Sequence, residues 1–223
     1  MSEKVSWRFV AIATFFVTTL VVSNVIAVKL VEIHGRIFPA GLVIFPLSYL
    51  LGDVLTEVYG YRAARAVIWL GFGCNLLAVG AIQAAIHLPA APFYAYDEAY
   101  SNVLGTTWRL FLASLAAYIV GELANAIVLA RMKVATDGRY LWTRTIGSTI
   151  VGEGLDSVIF VTLAFAGTGA PLADPILTTW GIKVGWETAA TPFTYFVVNR
   201  LKRSEGIDTF DRGTHFSPLP STR

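Results

Sequence analysis

Six acids, Asp53, Glu57, Glu122, Glu153, Asp156 and Glu187, lie inside stretches of this chain that are otherwise apolar enough to cross a lipid bilayer. An ionisable side chain near the middle of a bilayer is costly, and it is kept out of lipid by facing a protein interior or a watery cavity. Carboxylates held in this way suit a polar transport site. Three of them directly follow glycine and have a polar group three residues on: Gly52-Asp53 with Thr56, Gly121-Glu122 with Asn125, and Gly152-Glu153 with Asp156; Gly185-Trp186-Glu187 is a looser version. Residues three or four apart share a helix face, so Asp53 with Glu57, Glu122 with Asn125, Glu153 with Asp156, and Lys183 with Glu187 each make one polar patch. The glycines leave room beside the acids for a second backbone or a ligand.

The elements that must position these groups follow from hydropathy. With 55% hydrophobic and 14% charged residues and a mean hydropathy of +0.62, the chain is far more apolar than a soluble domain. Six segments suit a hydrocarbon core of roughly 30 Å, which needs about 20 helical residues: Trp7 to Val28, Pro39 to Val58, Ala64 to Leu88, Thr107 to Ala130, Gly147 to Gly169 and Pro175 to Asn199. The expected fold is therefore an all-α integral membrane protein, a bundle of six transmembrane helices. With the N-terminus cytoplasmic, 13 of the 17 Lys and Arg residues fall inside, Lys29, Arg36 and Arg109 fall outside, and Lys183 lies within a span. The positive-inside rule then predicts that both termini are cytoplasmic. Residues 1–199 read as one transmembrane domain and 200–223 as a polar cytoplasmic tail, too polar to be buried and expected to be loosely ordered.

Depth groups the acids. At about 1.5 Å per residue, Asp53, Glu122, Asp156, Lys183 and Glu187 fall roughly 12 to 21 Å below the outer surface, a layer near the midplane. Several kcal/mol per unpaired buried ion rules out six free carboxylates beside one lysine. Some must hold protons, accept hydrogen bonds from Asn24, Asn75 or Asn125, meet flanking Arg109 or Arg144, or be neutralised by substrate. Glu57 is marginal, near the cytoplasmic end, where it would snorkel or pair with Arg62. For Glu153 a structural ion pair near the Arg144 loop is an equal alternative. Pro46 in mid-span, and Gly181, Gly185 and Pro192 around Lys183 and Glu187, predict bent or broken helices lining a cavity. Ala113, Ala117 and Gly121 in the fourth span, and Gly73, Gly80 and Ala84 in the third, form smooth strips for internal packing or for a homodimer contact.

Other chemistry is poorly supported. Cys74 is the single cysteine, His34, His87 and His215 have no metal-ligand spacing, and Ser48 and Ser148 lack a nucleophile-elbow context. No cofactor or metal is expected, and nothing marks nucleic acid as a partner. Trp7, Trp108 and Trp142 sit at span ends like interfacial anchors; Trp186, deep in the sixth span, faces either lipid or a ligand.

Three runs carry a resemblance: Phe45-Pro-Leu-Ser-Tyr-Leu-Leu-Gly-Asp-Val-Leu-Thr-Glu-Val-Tyr-Gly-Tyr61, Gly147-Ser-Thr-Ile-Val-Gly-Glu-Gly-Leu-Asp-Ser-Val-Ile-Phe160, and Lys183 through Glu187 to Thr191-Pro192. Over nearly its whole length the chain resembles the queuosine precursor transporter family, also grouped with vitamin uptake transporters. That resemblance implies a multi-pass importer in the bacterial inner membrane. Its substrates would be the deazaguanine bases preQ0 and preQ1, which carry a cyano or an aminomethyl group. A carboxylate accepts the adjacent N–H donors of a guanine-like edge in a bidentate way, and the opposite edge suits an amide or lysine donor. On this basis Asp53, Glu122 or Asp156 would take the guanine-like edge, and Asn24, Asn75 or Asn125 would complete its hydrogen bonds. Trp186, Tyr49 or Phe45 would stack on the base, while Lys183 and Glu187 close the site, with Glu153 at its margin.

Two other readings compete. One is a substrate-binding subunit that works only with a separate ATP-driven module, as vitamin-binding subunits of similar size do. The other is a membrane enzyme using the paired carboxylates as general acid and base; midplane acids make that reading geometrically awkward.

Overall fold

Backbone in contact with lipid must satisfy its own hydrogen bonds, which turns apolar runs into helices. The computed structural model describes residues 6–33, 36–105, 108–169 and 171–219; Lys4, His34, Thr107, Pro220 and Arg223 lie outside them. The helices are α1 (Trp7–Ile26), α2 (Phe45–Tyr59), α3 (Tyr61–Ile86), the short α4 (Asp97–Leu104), α5 (Trp108–Ala135), α6 (Leu141–Phe165) and α7 (Ala173–Glu205). The fold is helical as expected, with one small addition, an antiparallel hairpin of β1 (Leu30–Ile33) and β2 (Arg36–Pro39), in register from Leu30 opposite Pro39 to Ile33 opposite Arg36. It is rich in residues that favour strands and lies between α1 and α2, beyond the long helices.

Among the described residues, four stretches are long and apolar enough to cross a membrane: Trp7–Ile26, Tyr61–Ile86, Asp97–Ala135 and Leu141–Phe165. The second expected span is shorter than its hydropathy suggested. Residues 39–44 end the hairpin and form a 3-10 turn, leaving α2 only 15 residues, about 22 Å. Pro46 is the reason: it lies in the first turn of α2, where a missing N–H costs nothing, instead of in mid-span. α7 also departs from expectation, running unbroken for 33 residues through Pro192.

α2 is the centre of the bundle, with α1, α3, α5 and α7 packed around it, and α6 is held against α5 and α7. Val54, Leu55 and Val58 are buried in that position. The α5–α6 crossing is built on glycine. A Cβ on Gly152 would lie 2.7 Å from Asn125 Cβ and 2.8 Å from the Gly121 carbonyl, and one on Gly121 would lie 2.8 Å from Asp156 Cβ. The strip of Ala113, Ala117 and Gly121 is therefore internal packing. The other strip is not: Gly73 and Gly80 have nothing described within 4 Å of a built Cβ, and Ala84 is exposed.

The helices alternate in direction between two ends. At the end holding the first turn of α1 and the last of α7, which we call the terminal end, charges interlock. The fully buried carboxylate of Glu57 receives Arg144 Nε at 2.8 Å and Nη2 at 2.9 Å, with Lys202 Nζ at 2.6 Å and Lys133 Nζ at 3.5 Å. Its partners are thus three cations from α5, α6 and α7, and not Arg62. Lys133 also donates to Asp208 at 2.5 Å and to the Thr209 carbonyl at 2.7 Å.

The tail packs here instead of hanging loose. Thr209 N–H donates to the Val58 carbonyl at 3.1 Å, Asp211 accepts from Tyr61 N–H at 2.9 Å, and the Ser217 carbonyl accepts from Tyr61 Oη and Arg65 Nη1 at 2.8 Å each. Gly60, at φ +84°, makes room: a Cβ there would lie 2.6 Å from Thr209 Cγ2. Partial burial pushes the Asp208 carboxyl up, but hydrogen bonds from Lys133 and Lys202 outweigh it and hold it below the usual carboxylate range.

Gly152→Ala, which must displace Asn125 or the Gly121 backbone, is expected to cost about 1–3 kcal/mol. Gly73→Ala, in open space on a helix, should be neutral or stabilising by about 0.5–1 kcal/mol. Thermal unfolding of the two purified variants in detergent checks this; equal melting temperatures would contradict the described crossing.

Candidate functional site

Each polar group of the layer is set by helical period. Phe45, Tyr49 and Asp53 recur every four residues along α2. Glu153, Asp156 and Ser157 share a face of α6, Glu122 and Asn125 a face of α5, and Lys183 and Glu187 a face of α7. The bundle turns these four faces toward one another. Gly52 lets α5 come close: a Cβ there would lie 3.3 Å from Glu122 Oε2.

Lys183 is the hub. Its ammonium lies 2.7 Å from Glu153 Oε2, donates to Asp156, and sits 5.4 Å from the ring centre of Phe45 and 5.6 Å from that of Tyr49. The two rings meet edge to face at 4.9 Å, so the cation is enclosed by two carboxylates and two π-faces. Glu153 therefore pairs with α7, not with the Arg144 loop. Among the described residues Lys183 pairs across to α6, with Glu153 and Asp156, and not with Glu187, its neighbour on α7. Asn125 Nδ2 donates to Asp53 Oδ1 at 2.7 Å. Asp53 Oδ2, Asn125 Oδ1, Ser157 Oγ and Glu187 Oε1 are buried without a hydrogen-bond partner among the described residues.

Two cavities open toward the hairpin end, and one of them reaches this layer. One, of about 450 Å³, is walled by Asn24, Phe45, Tyr118, Asp156, Ser157 and Lys183, with Asp174 and Thr178 nearer the start of α7. The other, about 470 Å³, lies between α1, α3, α4 and α5 and is mostly apolar. Asn24 lines both, and its Nδ2 donates to Asn75 Oδ1 at 2.7 Å; Asn75 in turn donates to the Gly71 carbonyl at 3.1 Å.

The predicted groups are thus largely brought together. Tyr49, Asp53, Glu122, Asn125, Glu153, Asp156, Lys183 and Glu187 form one layer, and Asn24 with Asn75 stands to one side of it. Trp186 does not join them. It is 49% exposed on the outside of α7, because Lys183 and Glu187 take the inward face. Arg109 is also spent elsewhere, donating to the carbonyls of Leu163 and Ala166. Sequence reasoning passed over Ser157, although it sits four residues from Glu153 in the Gly-Glu-Gly-Leu-Asp-Ser run.

Residues 39–197 match the family described as "Putative vitamin uptake transporter". That range holds every group of the layer and leaves out Asn24. A "Probable queuosine precursor transporter" of Bacillus subtilis (strain 168) is 29% identical over 190 residues, covering 83% of this chain and 82% of the relative. A protein of the same printed name from Haemophilus influenzae is 25% identical over 146 residues, covering 66% and 58%. No solved structure matches the chain.

Removing the cation of a buried pair leaves unpaired charge, at a cost of about 3–5 kcal/mol. Lys183→Met is expected to lose that much stability, and adding Glu153→Gln and Asp156→Asn should restore most of it. Chemical or thermal unfolding of the single and triple variants checks the coupling; equal losses in both would show that Lys183 is not the counter-charge.

Proposed function

The chain belongs to the vitamin uptake transporter family, and on that premise we propose that it imports deazaguanine precursors of queuosine, preQ0 or preQ1, across the bacterial inner membrane. The family is one of transporters, not enzymes, and the chain is a multi-pass membrane protein. Both curated relatives carry the queuosine precursor name. We take all six long helices to cross the membrane, with both termini cytoplasmic, residues 1–199 as the transmembrane domain and 200–223 as the tail.

The observation that carries this reading is the cavity of about 450 Å³ whose wall combines Asp156, Lys183, Asn24 and the Phe45 ring. Its size suits a small ligand. Of the three acids able to take the guanine-like edge, only Asp156 lines this cavity, so we assign that role to it and not to Asp53 or Glu122. Lys183 then donates to the ring carbonyl, Asn24 completes the hydrogen bonds from the opposite wall, and Phe45 stacks on the base. An aminomethyl substituent would add a positive charge where carboxylates already outnumber cations. With both termini cytoplasmic, the cavity faces outward and the Glu57 network closes the cytoplasmic side, the arrangement of an importer awaiting substrate.

The purified chain should gain about 2.7 kcal/mol of stability from preQ0 or preQ1 at 100 times Kd, and little from adenine. In cells unable to make the base, Asp156→Asn should lower uptake about 10-fold or more, as loss of a hydrogen bond to a charged group implies. Uptake at the unsubstituted level would remove Asp156 from the site. Uptake by the chain alone in liposomes would exclude dependence on an ATP-driven module.

A further inference from the structure

Charge in the polar layer is unevenly neutralised. Lys183, the only cation there among the described residues, is engaged by Glu153 and Asp156. Asp53 and Glu187 lie deeper, 1% and 3% exposed. Asp53 Oδ1 accepts from Asn125, but Asp53 Oδ2 and Glu187 Oε1 have no hydrogen-bond partner among the described residues.

Among the described residues neither acid is paired with a cation of its own. Asp53 feels Glu187 from α7, Glu122 from α5 and, one turn along α2, Glu57. Glu187 feels Glu153 from α6 as well as Asp53. α1 and α3 bring neither carboxylate nor cation to the layer, since Arg8, Arg62 and Arg65 lie at their terminal-end turns. Two ionised carboxylates so placed would cost several kcal/mol each and would repel one another. A bound proton removes both costs.

We propose that Asp53 and Glu187 form a proton-carrying site, distinct from the base-binding wall, through which import of the base is coupled to a proton gradient. The coupling rests on the import reading; the proton site does not. Its position fits the task. Glu187 is one turn along α7 from Lys183, which lines the cavity, and Asp53 is one turn before Glu57 at the closed terminal end. A proton from water at the hairpin end would enter by the cavity and form an O–H bond on one of these carboxylates. It would leave to water when the terminal end opens, regenerating the carboxylate. A proton suits the pair better than a sodium ion. Transporter sodium sites draw on carbonyls freed by unwound helix, whereas α2 and α7 are continuous at Asp53 and Glu187.

Infrared spectroscopy of the purified full chain reads protonated carboxyl groups without any substrate. At pH 7 the C=O band of buried carboxylic acid should be present, and should fall in Asp53→Asn and in Glu187→Gln but not in Glu98→Gln. A band absent from the unsubstituted chain, or unchanged in both layer variants, overturns the site. In liposomes, an inward proton gradient should drive preQ0 at least 10-fold above its outside concentration, and a protonophore should abolish this excess. Glu187→Gln should lose the excess while preQ0 still stabilises it thermally. Equal preQ0 levels with and without the gradient, or accumulation driven by sodium instead, overturn the coupling. A chain that shows the band but is not stabilised by preQ0 keeps the proton site and loses the import reading.

Discussion

The positive charge of Lys183 is the constraint on which the rest of the bundle depends. An ammonium in a helical interior survives only with carboxylate partners, and Glu153 and Asp156 supply them from α6 at a separation set by the α-helix itself. Holding α6 near enough requires the bare crossing of Gly121 and Gly152, since a side chain on either would push α5 and α6 apart. Phe45 and Tyr49 close over the remaining side of the cation, which fixes the face that α2 presents. Three helices are thus positioned by one charge, and the cavity opens where their polar faces meet.

The two ends of the bundle contrast. At the hairpin end the helices separate around two cavities. At the terminal end Glu57 gathers Arg144, Lys133 and Lys202, and the tail is strapped across the junction of α2 and α3 by Thr209 and Asp211 while Asp208 holds Lys133 of α5 and Lys202 of α7. Access from that side would require this network to part. The ion pairs are many but share one carboxylate, so they can be released together, as a two-state closure demands.

Much of this was legible in the sequence because helical period and hydropathy report depth and face. The layer of Asp53, Glu122, Asp156, Lys183 and Glu187 follows from both. Partners were not legible, because periodicity says which residues share a face of one helix and not which helices adjoin. Lys183 was expected beside Glu187, four residues away, but α6 lies closer to its ammonium. Glu57 was expected to snorkel or to pair with Arg62, nearby in sequence, yet its cations come from three other helices. Trp186 faces outward because Lys183 and Glu187 claim the inner side of α7. Pro46 misled as an apparent mid-span break, since hydropathy runs on from residue 39 while the helix starts at Phe45. The tail was misjudged from its polarity. Its polar groups are the very ones that cap Val58, Tyr61 and Lys133.

The proposed import depends on a deazaguanine base resting on the Asp156 and Lys183 wall, against Phe45. A structure of the full chain determined with preQ0 bound tests it most directly. The base is expected in the cavity of about 450 Å³, its guanine-like edge on Asp156 and its ring on Phe45. A base found instead between α1, α3 and α5, beside Asn75 and remote from Lys183, would contradict it.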